Sequence, residues 1–179
     1  MSHHIHIRHN FETAHRLPHL SGKCMSLHGH SWWAEVTVSA AELSHDQTVV
    51  EFGGFKKALR AFIDEQLDHG AMLGAEDPLA PLLMAHGCKV FLFGRPDLGP
   101  DTSYTADLPL PTVEAVAVMI GRVTQALLAD VPRAAGASIS QVRVVETHVN
   151  SAEFRPAGDG PSSGDAALRR AYPASANGG

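Results

Sequence analysis

The residues from Ser31 to Ser39 change character at every step. Trp32, Ala34, Val36 and Val38 are apolar, whereas Ser31, Trp33, Glu35, Thr37 and Ser39 are mostly polar. Side chains in a strand point alternately to the two faces of a sheet, so this stretch reads as a strand with one face on a core. Continued backwards, the apolar parity takes in His30 and His28. The two imidazoles therefore end a core-facing row, and Gly29 leaves the backbone between them free to approach a ligand. Upstream, His15 closes a strand-like segment from His4, in which Phe11, Thr13 and His15 share one parity. His15 is the candidate third nitrogen ligand. Three imidazoles are the pattern of a catalytic zinc that keeps a position open for water or substrate. Cys24 lies between the two histidine groups and places a reactive thiol beside them.

The histidine content tempers this reading. With 12 His in 179 residues, chance supplies roughly one His-x-His pair. The chain holds His4/His6 as well as His28/His30. The first pair sits in an exposed alternating stretch and reads as incidental. The second has an upstream His, a nearby Cys and an apolar strand behind it.

The length suits one domain with a real core. A net charge of -5 and a pI near 6.1 offer no basic block for nucleic acid or for an anionic membrane. The longest apolar run, Ala115 to Ile120, is far short of a membrane span. The N-terminus has no segment of signal-peptide type. Cys24 and Cys88 read as free thiols of a cytoplasmic protein.

Along the chain, residues 4–15 and 30–40 read as strands joined by a long loop from Arg16 to Leu27. Residues 53–69 read as a helix, with Phe55, Ala58, Leu59, Phe62, Ile63 and Leu67 at one-face spacing and Gly70 as its stop. Residues 74–110 are irregular, with a short extra strand at Lys89 to Phe93. A second helix starts near Thr112, a fair N-cap after Pro111, and Pro132 ends it. Residues 139–149 form another strand, and Glu153 to Arg155 a further short one. There Val142, Val144 and Glu146 share a parity, so a carboxylate follows two apolar residues on one face and needs a partner. From Pro156 to Gly179 the composition is that of a flexible tail, with a short helix around Ala166 to Ala171. The order β-β-α-(insertion)-α-β-β is an α+β layout with helices on one face of an antiparallel sheet.

Five motifs then occur in order: Phe11 to His15 (F-x-x-A-H), Cys24 to His30 (C-x-x-x-H-G-H), Leu67-Asp68-His69, Pro111 to Glu114 (P-T-x-E), and Glu146-Thr147. Together they resemble the 6-pyruvoyl-tetrahydropterin synthase / 6-carboxy-5,6,7,8-tetrahydropterin synthase family over residues 5–155, apart from 74–110. The resemblance implies a tunnelling fold, with ββααββ subunits whose sheets join into a barrel, usually as a homohexameric dimer of trimers. It implies a pterin triphosphate, 7,8-dihydroneopterin triphosphate, as substrate. The gap of three residues between Cys24 and His28 resembles the bacterial carboxy branch, which releases acetaldehyde and triphosphate and feeds 7-deazapurine and queuosine biosynthesis. The pyruvoyl branch is the alternative.

Position by position, the resemblance implies His15, His28 and His30 as ligands of Zn2+, and Cys24 as the proton-abstracting thiol. It implies Asp68 and His69 as a second acid/base pair, although a His at a helix end is also favoured by the dipole alone. Glu146 matches the carboxylate that anchors the pterin, and a carboxylate can accept two parallel N–H bonds from the 2-aminopyrimidinone edge. Thr112 and Glu114 match positions near the pterin pocket, although helix capping explains them equally well. Two positions depart from the pattern: Glu51-Phe52-Gly53 stands where Asp-Phe-Gly is frequent, and Ala115 where Asn is frequent. The insertion bears on the pocket mouth and on subunit contacts. A histidine-rich metal-binding protein without enzymatic activity is the remaining alternative. It has no need for Cys24, Asp68 or Glu146.

Overall fold

The computed structural model describes residues 1–95 and 101–156. The tail beyond Pro156, including the helix expected around Ala166 to Ala171, lies outside the described residues. Strand β1 (His3–His15) runs antiparallel to β2 (His28–Ala40) in a register from His3↔Ala40 to His15↔His28. β2 continues antiparallel to β5 (Ser138–Val145), with a bulge at Thr37/Val38, and β5 to β6 (Ser151–Phe154). Trp32, Ala34, Val36 and Val38 are all buried, as the alternation requires. On the opposite face, His4 and His6 bond to their cross-strand neighbours Ser39 and Thr37, at 2.6 and 2.9 Å.

Helices α1 (Phe52–Gln66) and α3 (Val113–Leu128) cover the apolar face. Glu51 caps α1, its carboxylate accepting from Gly53 N and Gly54 N at 2.6 Å each. Glu51 thus serves the first turn, where an acid also suits the dipole. Thr112 caps α3 by accepting from Ala115 N at 3.2 Å. The far end of α3 stops at Leu128, ahead of Pro132, and Arg133 donates to the Leu128 and Ala129 carbonyls there.

The segment after α1 differs most from expectation. The helix ends before Asp68, and His69 adopts a left-handed φ of 56°. Gly70 is therefore no helix stop; it opens β3 (Gly70–Gly74), which pairs parallel with Thr13–His15 of β1. A short helix α2 (Leu79–Ala85) then leads to β4 (Val90–Phe93), parallel to β3. The sheet is mixed, ordered β4-β3-β1-β2-β5-β6, with the four antiparallel strands of the expected layout at its centre and far side. Parallel strands buried on both faces show no alternation, which is why β3 is invisible in the sequence pattern. A largely buried ion pair fastens this addition to the chain next to His15: Arg16 Nε lies 3.3 Å from Asp77 Oδ2, while Asp77 Oδ1 accepts from Leu79 N.

At the other end, β5 stops at Val145, short of the expected 149. Residues 146–150 form a turn, because Thr147 Oγ1 accepts from Val149 N and Asn150 N. No helix among the described residues is long and apolar enough to cross a membrane.

Candidate metal and substrate site

The β1–β2 register brings the three histidines together. His15 faces His28 directly, and Thr13 faces His30, so all three imidazoles lie on one face at the end of the ladder. One nitrogen from each of His15, His28 and His30 lies within 4.8 Å of the others. The rings meet edge to face or tilted, with centroids 4.6 to 5.3 Å apart, and Trp32 packs beneath His15 and His30. The Trp32 indole donates to the Thr13 carbonyl at 3.0 Å, which fixes this floor.

Second partners orient two of the rings. His15 Nδ1 donates to the Pro111 carbonyl at 3.0 Å, and His28 Nδ1 donates to the Ser26 carbonyl at 2.8 Å. A ring that donates from Nδ1 keeps its Nε2 lone pair free, which is the usual preparation of a metal-binding imidazole. His15 Nε2 is buried and has no hydrogen-bond partner. A buried polar atom without a partner is costly, and a cation among the three lone pairs would satisfy it. Burial lowers the His15 pKa, helped by His28 and His30, against the raising influence of the Pro111 carbonyl and Glu146. His30 is lowered chiefly by burial as well, with Glu146 opposing and His28 assisting. Both shifts favour neutral, ligating imidazoles. The donor set fits a metal ion of zinc type.

Glu146 stands just past the end of β5, with Oε1 3.4 Å from His15 Nε2. The apolar parity thus brings the carboxylate up to the histidine cluster, but no hydrogen bond joins Glu146 to His15. Cys24 is half-buried in a short 3-10 turn, Lys23–Met25, and its carbonyl accepts from Leu17 N at 2.8 Å. The thiol is outside the three-histidine donor set.

Asp68 and His69 form a bonded pair, Oδ2 to Nδ1 at 2.6 Å. Asp68 Oδ1 accepts from Glu12 N, and His69 N donates to Glu12 O, so the pair is fastened to the β1 backbone. Burial would raise the Asp68 pKa, but the Glu12 amide, His69 and Lys89 outweigh it, and the net shift is downward. The His69 side chain is 80% exposed. Among the described residues, no hydrogen bond or ion pair joins this pair to Cys24. An open depression of about 280 Å³ has a lining that includes Glu12, Gly29, His30, Ser31 and Gly70.

Thr112 caps α3, while Glu114 is exposed on its first turn; both border a shallow, largely apolar cleft with Leu108 and Leu110. Sequence reasoning missed the carbonyls of Ser26 and Pro111 as the groups that orient His28 and His15. Only Pro111 left a trace, as the first residue of the P-T-x-E motif.

A family model described as 6-pyruvoyl tetrahydropterin synthase matches residues 4–157. The chain belongs to this family. A protein of Aquifex aeolicus named 6-carboxy-5,6,7,8-tetrahydropterin synthase is 43% identical over 61 residues, which is 34% of this chain and 37% of the relative. A Synechocystis protein of the same name is 37% identical over 83 residues, 42% of this chain and 64% of the relative. The chain thus spans between about a third and two thirds of the length of these curated relatives. Among solved structures, an uncharacterized protein from Wolinella succinogenes superposes with a TM-score of 0.66 at 21% identity, covering 88% of this chain and 99% of that one. The Caenorhabditis elegans 6-pyruvoyl tetrahydropterin synthase superposes at 0.56 with 18% identity, covering 88% and 97%. These likenesses establish the α+β tunnelling fold.

Proposed function

We propose that the chain is a zinc-dependent carbon–oxygen lyase that converts 7,8-dihydroneopterin triphosphate to 6-carboxy-5,6,7,8-tetrahydropterin, releasing acetaldehyde and triphosphate. The observation that carries this reading is the convergence of three imidazoles, with a buried unpartnered Nε2 on His15, beside the Glu146 carboxylate. Relatives named 6-carboxytetrahydropterin synthase support the carboxy branch.

In this proposal His15, His28 and His30 hold the zinc through their free nitrogens. When bound, the ion acts as a Lewis acid toward the hydroxyls of the substrate side chain. Glu146 accepts the N–H edge of the pterin and sets the ring against the metal site. Cys24 Sγ takes a proton from the substrate side chain. His69 moves a second proton at Nε2, because its Nδ1 is committed to Asp68. Thr112 and Glu114 border the pterin end. The product would serve 7-deazapurine or queuosine biosynthesis in the cytoplasm. In this reading residues 1–155 are one tetrahydropterin-synthase-like domain with an insertion at 74–110, followed by a tail at 156–179, and the chain assembles as a homohexamer.

The test is direct. Zinc-loaded protein is incubated with 7,8-dihydroneopterin triphosphate, and the products are identified by mass beside an acetaldehyde assay. Acetaldehyde with the carboxy pterin supports the proposal. Triphosphate without acetaldehyde favours the second reading, a 6-pyruvoyl synthase, which the description of the matching family model and the large insertion keep in play. Zinc bound without any turnover overturns both.

A further inference from the structure

The insertion places a cation at the end of α1 that neither the motifs nor the proposed mechanism uses. Lys89 precedes β4, and its carbonyl accepts from Ala71 N at 3.0 Å, which starts the β3–β4 pairing. Its side chain turns back across Gly70, where an added Cβ would meet the lysine Cδ at 3.1 Å. Lys89 Nζ donates to the Asp64 carbonyl at 2.8 Å and to the Asp68 carbonyl at 2.7 Å. The last carbonyls of a helix lack intrahelical partners and carry its negative dipole end, so an ammonium is well placed there. The Asp64 carboxylate is engaged elsewhere, by His9 and Arg60. Lys89 makes no carboxylate ion pair among the described residues; its charge is directed at the turn that carries Asp68 and His69.

That turn needs holding. Leu67 N and Asp68 N both donate to the single carbonyl of Ile63, and His69 follows in the left-handed region. Such a φ on a non-glycine residue is strained and persists only when the surroundings impose it. The surroundings are three: β1 through Glu12, the Gly70 N bond to Leu67 O, and Lys89. We infer that Lys89 is a positioning residue for the Asp68–His69 pair, and that the insertion supplies it. Without the ammonium, the Asp68 carbonyl loses its partner, the turn relaxes toward a frayed helix end, and the His69 ring loses its fixed angle to the Asp68 carboxylate.

The inference rests on the proposed roles of Asp68 and His69 for its kinetic consequence, but its structural half stands apart. The experiment compares Lys89→Met and Lys89→Arg with the unaltered protein. It measures zinc content, Tm, steady-state kinetics with 7,8-dihydroneopterin triphosphate, and the histidine ring resonances of 15N-labelled protein. Lys89→Met is expected to keep its zinc and its fold and to lose the hydrogen-bonded Nδ1–H signal of His69. Its kcat falls by about tenfold or more, since small misplacements of an acid/base group cost up to about a hundredfold, while KM stays within about twofold. Lys89→Arg, which keeps a cation able to reach both carbonyls, recovers the His69 signal and most of kcat. A Lys89→Met protein with unchanged His69 resonances and unchanged kcat overturns the inference. So does a loss that appears only in Tm, with kcat per folded molecule intact. If the unaltered protein fails to turn over this substrate, the functional reading fails, while the His69 resonances still decide the positioning role.

Discussion

Glu146 and His15 approach each other at 3.4 Å, and the proposed function gives them different ligands. If Glu146 serves the pterin and His15 the metal, Glu146→Gln separates their roles. The amide keeps the shape but offers an N–H where the substrate also has one. Losing a charge-assisted bond costs about 1.5–3 kcal/mol, roughly ten- to a hundredfold, and the loss is expected in KM with zinc content unchanged. Loss of zinc with KM unchanged would instead make Glu146 part of the metal site. The imidazoles predict a pH effect too. Burial lowers His15 and His30 below the ordinary histidine value. In the metal-free protein, the unfolded chain then binds protons that the folded chain refuses. Stability is fully present above about pH 6.5 and is lost as pH falls through the lower folded values. Denaturant unfolding of chelator-treated protein between pH 7.5 and 5.5 checks the sign, and a flat or rising stability toward pH 5.5 contradicts it.

At the scale of elements, the added β3–α2–β4 segment is the part that the chain's pattern hides. Strands β1 and β2 were legible because alternation over many residues has one physical explanation, and α1 and α3 because their buried stripes recur at helical spacing. The convergence of the three histidines followed from strand parity, and parity also marked Glu146 as unusual, though not its place beside His15. The sequence could not show that His69 would turn left-handed, nor that Gly70 begins a strand, because both depend on bonds to Glu12 and β1 far along the chain. Gly74, at the end of β3, gives this segment its sharpest test. An added Cβ would lie 2.7 Å from the Pro109 carbonyl oxygen, a backbone atom that cannot rotate away. Gly74→Ala is expected to cost about 1–3 kcal/mol through overpacking. For a chain of this size that lowers Tm by roughly 3–10 °C, measured by calorimetry. The zinc content should be unchanged, since the histidines sit on β1 and β2. An unaltered Tm would mean that the 105–112 connection does not pack against β3 as described.

The whole molecule leaves sheet edges open. On the side away from β2, β1 is paired only at Thr13–His15 and Glu12 is bonded to the Asp68–His69 loop, so among the described residues His3–Phe11 has no strand neighbour there. At the other end of the sheet, β6 pairs with β5 alone. Open edges present unpaired N–H and C=O groups and invite another strand. Two such edges on one curled sheet suit closure with further copies, which is the barrel assembly proposed for this chain. The loop bearing Asp68 and His69 is bonded to Glu12 on the same open side of β1, so a docking strand would also bring new side chains to that pair. Successive N–H groups along a strand point to opposite sides. Of Ala152 and Glu153 in β6, one therefore directs its N–H at β5 and the other away from the sheet. Proline lacks that N–H and fixes φ, so at the inward position it costs the subunit a bond of its own, and at the outward position it spares the subunit but blocks a partner strand. The unaltered chain of 19.1 kDa is expected to run as a multiple of its mass in size-exclusion chromatography with light scattering. One of Ala152→Pro and Glu153→Pro should keep the far-ultraviolet spectrum and zinc content yet fall to a smaller species, and its turnover should fall with it. If both variants keep the full assembly, β6 is not the joining edge. If the smaller species keeps full turnover, each subunit carries a complete site.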